Sequence, residues 1–280
     1  MRLPFTKMHG LGNDFAVIDC VSQPLQPNAE QIASLADRHL GIGFDQLLLI
    51  EAGSSDQAEF RYRIFNADGS EVEHCGNGAR CFAKYVHDKG LTQSNPVLVE
   101  TVNRVLSLQL SQDGLVSVNM GAPNFDPASL PLQRKEEAQS YKTTVTIAGQ
   151  DLPIQFSAVS MGNPHAVIFV ENCETAEVET IGPALGQHPD FPQGVNVGFL
   201  QIVARNECRL RVYERGSGET LACGTGACAA VAAARSLDLV DSRVRVKLRG
   251  GELEIDYPGL GSELTMTGPA VTAYEGSVEL

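Results

Sequence analysis

Gly12-Asn13-Asp14-Phe15-Ala16-Val17-Ile18 recurs, with two substitutions, as Gly162-Asn163-Pro164-His165-Ala166-Val167-Ile168. Further along, Cys75-Gly76-Asn77-Gly78-Ala79 recurs as Cys223-Gly224-Thr225-Gly226-Ala227, and Glu71 falls over Glu219. The offsets are 150 and 148 residues in a chain of 280, and the order is the same. Two long matches at nearly one offset mark an internal duplication. Each Cys-Gly stretch is followed by a glycine-centred hairpin, at Gly114 and at Gly251. The duplication predicts an α+β fold of two pseudo-symmetric lobes, each a curved, mostly antiparallel sheet or barrel around a central helix. The polar, proline-rich stretch after Gly121-Ala122-Pro123 places the boundary there, with the first lobe over 1–121 and the second starting at 122.

Alternating apolar runs predict strands over Leu3–Met8, Phe15–Asp19, Gln46–Glu51, Glu59–Phe65, Val97–Thr101, Val105–Leu110 and Leu115–Val118. A second series covers Thr143–Ile147, Leu152–Ser157, Ala166–Val170, Val195–Val203, Cys208–Tyr213, Val244–Leu248 and Glu252–Asp256. Helices are fewer. Asn28 and Gln31 form a capping-box pattern before Ile32, Leu35, Ala36 and His39. Asn77–Lys89 carries Cys81, Phe82, Tyr85 and Val86 on one face and stops at Gly90. The alanine-rich Gly224–Leu237 has very high helix propensity.

The composition is that of an ordinary folded protein, 43% hydrophobic and 20% charged. The net charge of −13 repels a phosphate backbone, so nucleic acid and anionic membrane are excluded as partners. The longest apolar run, Ala227–Ala234, is far short of a membrane span, and Met1–Cys20 does not read as an export signal. Seven cysteines, an odd number with no C-x-x-C pair, point to reduced thiols and a cytoplasmic place. Most of them are expected to pack in the core, Cys81 and Cys228 among them.

Cys75 and Cys223 differ from the rest, because each stands just before Gly-x-Gly and the start of a helix. The free N–H groups and dipole of a helix start favour a thiolate, and can lower a thiol from about 8.5 toward neutrality. The glycines leave N–H groups able to hold a carboxylate. Two such corners facing each other across a cleft between the lobes would set one thiol on each side of a bound carbon. That arrangement suits inversion by proton transfer, which needs a base on one face and an acid on the other. Asn13, Asn66, Asn163, Asn196 and Arg215 lie near these corners, and amides with a guanidinium suit a zwitterionic amino acid. His165 stands where Phe15 does in the first copy, and Glu214 where Asn66 does. The duplicated scaffold therefore differs at titratable positions.

These residues resemble the diaminopimelate epimerase family. The resemblance rests on Met8–Phe15, Asn66–Glu71, Cys75–Cys81, Gly162–His165, Glu214–Thr220 and Ala222–Gly226, in order along nearly the whole chain. It implies a cofactor-independent isomerase interconverting LL- and meso-diaminopimelate for lysine and peptidoglycan precursors. It further implies Cys75 and Cys223 as the two bases, with His165 and Glu214 assisting. Substrate contacts are implied from Asn13, Gln46, Asn66, Gly76, Asn77, Asn163, Asn196, Arg215, Gly224 and Thr225. The family fold implies that 269–280 rejoins the first lobe, and a homodimer with Tyr274 near its interface. Proline racemases and phenazine-type isomerases are expected to share the fold.

Three other readings of the same residues stay open at this stage. One is an isomerase of the same fold acting on another amino acid, which the asparagines and Arg215 disfavour for a small apolar substrate. Another is a redox switch built on Cys75 and Cys223. A zinc site from Cys75, Cys81, Cys223 and Cys228 has spacings unlike common structural sites, so no metal is expected. Neither glycine loop fits a dinucleotide fingerprint.

Overall fold

The computed structural model describes residues 2–72 and 76–279. Cys75, with Glu73 and His74, lies outside the described residues. The chain divides into two compact units, Met1–Asn119 with Thr267–Leu280, and Met120–Met266. Each is sheet-dominated with few helices.

The first unit opens with β1 (Arg2–Gly10) and β2 (Asn13–Asp19), an antiparallel pair closed by Leu11-Gly12. Both turn residues have positive φ (58° and 91°), the twist a two-residue hairpin requires. After α1 (Ala29–Ala36), β3 (Gln46–Ala52) runs parallel to β2, and β4 (Phe60–Asn66) antiparallel to β3. The short β5 (Glu71–Val72) folds back on β4 and precedes α2 (Gly76–Asp88). Strands β6 (Val97–Glu100), β7 (Val105–Leu110) and β8 (Val116–Gly121) follow, β7 and β8 joined by the expected Gly114 turn.

The second unit repeats this order after one extra strand, β9 (Tyr141–Ile147), which pairs with β10 (Gln150–Ser160). Here β11 (Pro164–Phe169) pairs with β10, α3 (Val178–Gly186) follows, and β12 (Asn196–Ala204) runs parallel to β11. Next come β13 (Glu207–Glu214), β14 (Gly218–Thr220) and α4 (Gly224–Ser236). The hairpin β15 (Arg243–Leu248) and β16 (Gly251–Asp256) and the strand β17 (Leu264–Gly268) end the series. Finally β18 (Val271–Glu279) pairs antiparallel with β1 of the first unit.

The registers repeat as well as the order. Phe15 lies opposite Gln46 in the parallel pair, and His165 opposite Asn196. Phe65 faces Glu71 as Tyr213 faces Glu219.

In each unit the helix after the Cys-Gly stretch is the centre of the core. Helix α2 touches β1, β2, β3 and β7, and α4 touches β10, β11, β12, β13 and β16. A helix ringed by strands is buried nearly all round, not on one stripe. Ten of the thirteen α2 residues are buried, well beyond the single face read from periodicity. Eleven of thirteen are buried in α4, and its run of alanines lets strands approach from several sides. Phe60 and Tyr62 meet Phe82 edge-to-face, with centroids 5.9 and 5.4 Å away.

Two expectations need correction. The Asn28 capping box forms, but α1 ends at Ala36, so His39 is not on the helix: the Asp37 carboxylate accepts from the His39 and Leu40 N–H groups and turns the chain. Helix α3 had no signal in the pattern, since Gly182 and Pro183 sit inside it. It forms because Val178 and Leu185 complete a cluster with Phe156, Phe191 and Phe199. Among the described residues no helix is long and apolar enough to cross a membrane.

Candidate active site

In the first unit the candidate residues gather where β2, β3 and β4 meet the start of α2. Asn13 opens β2 just after the Leu11-Gly12 turn, and its Oδ1 accepts from Asn77 Nδ2 at 3.3 Å. Gln46 opens β3 and its Nε2 donates to Asn66 Oδ1 at 3.0 Å; Asn66 Nδ2 in turn donates to Ser70 Oγ at 3.1 Å. Among the described residues, Gln46 Oε1 is buried without a hydrogen-bond partner. An orphaned buried acceptor suits a ligand that brings donors, such as an ammonium group. Gly76 and Asn77 form the first turn of α2, and both are buried.

In the second unit Cys223 is the N-cap of α4, with the Gly226 N–H donating to its Sγ at 3.4 Å. The Thr225 hydroxyl lies 3.6 Å from the same sulfur. Asn163 Nδ2 donates to Thr225 Oγ1 at 3.3 Å, while Asn163 Oδ1 sits 3.0 Å from His165 Nε2. Asn196 Nδ2 donates to the Pro164 carbonyl (3.0 Å), and its Oδ1 accepts from the Arg215 N–H (2.9 Å). Thr220 Oγ1 donates to the Glu214 carboxylate. The exposed Arg215 side chain donates to the Gln193 carbonyl at 2.9 Å.

The electrostatics depart from what the helix start alone suggests. Burial, with the negative charge of Glu214 beside it, pushes the Cys223 thiol well above its ordinary value. Hydrogen bonds from Thr225 and the Gly226 N–H oppose this and lose. Cys223 is therefore a protonated thiol, because desolvation outweighs the helix terminus. Burial also pushes His165 down to about 3, with the Arg215 charge adding to it. His165 is a neutral imidazole at any physiological pH.

That shift has a measurable consequence for stability. Between about pH 6.5 and 3 the unfolded chain binds a proton at His165 that the folded protein refuses. The stability it contributes is complete above the unfolded value and is lost as pH falls through this window. Denaturant melts of the wild type and of His165→Gln are expected to diverge there, with the variant showing the flatter profile. Parallel profiles would refute this account.

Several motif residues serve the scaffold. Arg63 grips Glu71 with two hydrogen bonds of 2.8 Å, and Arg211 grips Glu219 at 2.7 and 2.8 Å. Each fork ties the short strand before the Cys-Gly stretch to its neighbour, β5 to β4 and β14 to β13. Asp68 accepts from the Ser70 N–H and hydroxyl, shaping the turn at Gly69. The second glycine of each Gly-x-Gly is a packing requirement: a Cβ at Gly78 would lie 2.4 Å from Tyr62 Oη, and one at Gly226 3.2 Å from Cys223 Sγ.

The sequence profile of the family described as Diaminopimelate epimerase matches residues 5–125 and 157–273, which takes in both copies of the repeat. The chain belongs to the diaminopimelate epimerase family. The diaminopimelate epimerase of Ectopseudomonas mendocina (strain ymp) is 54% identical over 280 residues, covering 100% of both chains. That of Nitrosospira multiformis is 53% identical over 280 residues, covering 100% of this chain and 99% of its own. Among solved structures, a phenazine biosynthesis protein of the PhzF family from Bacillus anthracis superposes with TM-score 0.72 at 17% identity, over 100% of both chains. A hydroxyproline epimerase from Agrobacterium vitis gives 0.70 at 15% identity, over 100% of this chain and 93% of that one. At such identities the likeness is one of fold, and it agrees with the duplicated architecture read from the repeat.

Within this family frame, the sequence reading passed over Asp14, Arg38, Asp45 and Arg80. Arg80 was the most legible of them, the one charged residue in Gly76–Ala83.

Proposed function

We propose that the protein interconverts LL- and meso-diaminopimelate by a two-thiol mechanism that uses no cofactor. The observation that carries this reading is Cys223, a protonated thiol at the start of a central helix beside a carboxylate, in a chain of this family. A thiolate at Cys75 takes the α-proton from one face of the carbon, and the Cys223 thiol delivers its proton to the other. The reverse reaction exchanges the roles. Charge that develops on the substrate carboxylate meets the N–H groups of Gly76-Asn77 and Gly224-Thr225.

Glu214 and neutral His165 tune the proton transfers. Glu214 disfavours a second negative charge at Cys223, and His165 orients Asn163 and, through Thr225, the Cys223 sulfur. Asn13, Gln46, Asn66, Asn163, Asn196 and Arg215 hold the substrate's charged ends. The proposed site draws its residues from both the 1–121 and the 122–268 lobes, with 269–280 counted in the first, and the protein works in the cytoplasm. It acts as a homodimer with Tyr274 near the interface. In support, Tyr274 is 49% and Val271 42% exposed on β18.

The test is an exchange assay on LL-diaminopimelate in deuterium oxide with no cofactor added. Deuterium at the α-carbon together with appearance of the meso isomer is the expected result. If neither appears, or exchange needs added pyridoxal phosphate, the reading is wrong.

A further inference from the structure

Position 77 touches position 13 in the first unit as position 225 touches position 163 in the second, both at 3.3 Å. The amides nevertheless run in opposite directions. Asn13 offers its carbonyl oxygen to Asn77, whereas Asn163 offers its NH2 group to Thr225. In the second unit His165 Nε2 takes the other end of the amide, at Asn163 Oδ1. The first unit has Phe15 at the corresponding place, which cannot.

What sets the direction in the first unit is a chain with unlike ends. Fully buried Arg80 donates through Nη2 to Asn77 Oδ1 at 2.9 Å, and its Nε donates to the Pro269 carbonyl at 3.1 Å. Asn77 Nδ2 then donates to Asn13 Oδ1, and Asn13 Nδ2 donates to Asp45 Oδ2 at 3.1 Å. A guanidinium can only donate and a carboxylate can only accept. Between such ends both amides have one permitted orientation; turning either over sets donor against donor or acceptor against acceptor. In the second copy Cys228 stands where Arg80 does, so this chain belongs to the first copy alone.

Asp45 is held to this task by its own partners. Arg38 Nη2 donates to Asp45 Oδ1 at 2.8 Å, and the Asp45 N–H donates to Asp14 Oδ1 at 2.9 Å. Asp14 is itself clamped by Arg38 and Lys7, which outweigh its burial and hold it ionised. We propose that Asp45 is a positioning residue: as the accepting end of the chain that Arg80 begins, it fixes the direction of the Asn13 amide toward the substrate. The inference rests on the proposed function, in which Asn13 touches diaminopimelate.

The experiment compares the KM for LL-diaminopimelate, kcat and melting temperature of three variants with the wild type in the exchange assay. Asp45→Ala removes the acceptor and is expected to raise KM about tenfold, with kcat within about threefold and little change in melting. Asp45→Asn loses the charge but can still accept, and is expected to recover most of the KM. Arg38→Gln removes the ion pairs but leaves the acceptor, and is expected to keep KM within about threefold. An unchanged KM in Asp45→Ala overturns the proposal. So does an Arg38→Gln variant as impaired as Asp45→Ala, since the ion pairs would then carry the effect. An inactive wild type would instead overturn the function on which the proposal rests.

Discussion

Cys223→Ala is expected to abolish epimerisation, with a loss in kcat of at least about a thousandfold, within the range for removing a general acid–base group. The fold should tolerate the change, since the sulfur is a small buried group at a helix start and alanine fills most of its space. Cys75→Ala should lose epimerisation to the same extent. The two single variants are informative together, because a scheme with one catalytic thiol spares one of them. Substantial turnover to the meso isomer by either variant would refute the two-thiol mechanism. Circular dichroism on both proteins guards against misreading a folding defect.

Arg211→Met carries the second large expected effect, on stability. Glu219 is 5% exposed and Arg211 18%, so their two-pronged contact is largely withdrawn from solvent. Removing one partner of a buried pair costs about 3–5 kcal/mol, because the remaining charge is left poorly compensated. Arg249 stays 3.2 Å from Glu219 and covers part of the loss. Against that, the Cys173, Glu174 and Ala176 carbonyls also lose a donor when the guanidinium goes. We expect destabilisation near about 3 kcal/mol in denaturant melts. Because the fork braces β14, which leads into Cys223, activity should fall even where the protein remains folded. Arg211→Met melting like the wild type would show that the fork is dispensable.

The duplication was legible because its two signals are rigid requirements of the backbone. A hairpin turn needs positive φ at Gly12 and Gly162, and a helix packed against strands needs no side chain at Gly78 and Gly226. The gathering of amides was legible for a similar reason, since asparagines at or beside strand ends, such as Asn13, Asn66, Asn163 and Asn196, are poor core residues. Helix α3 was not, because its stability comes from the aromatic cluster around Val178 and Leu185 and not from local propensity. The state of Cys223 was not either: sequence shows the helix start that favours a thiolate, but not the burial that defeats it. Glu71 and Glu219 were visible as a matched pair, yet their partners Arg63 and Arg211 lie on the preceding strand. Asp45 and Arg80 were missed because the chain joining them spans β2, α2 and the loop before β3.

The pairing of β1 with β18 bears on how the molecule is made. One unit is a single run of chain, whereas the other is completed by a strand that lies beyond that whole run. On the ribosome, the inner unit can finish its sheet and bury α4 while β1 still lacks the neighbour it will have at Val271–Glu279. Once the inner unit has compacted, it no longer counts as slack in the loop that β1 and β18 must close, which lowers the entropic cost of closing it. Birth order and fold order are therefore inverted: the half synthesised first is the half completed last. Until then β1 presents an open edge of the kind other strands add to. Slow assembly of the inner unit would prolong that exposure, so a defect around α4 could appear as aggregation nucleated at the opposite end of the sequence.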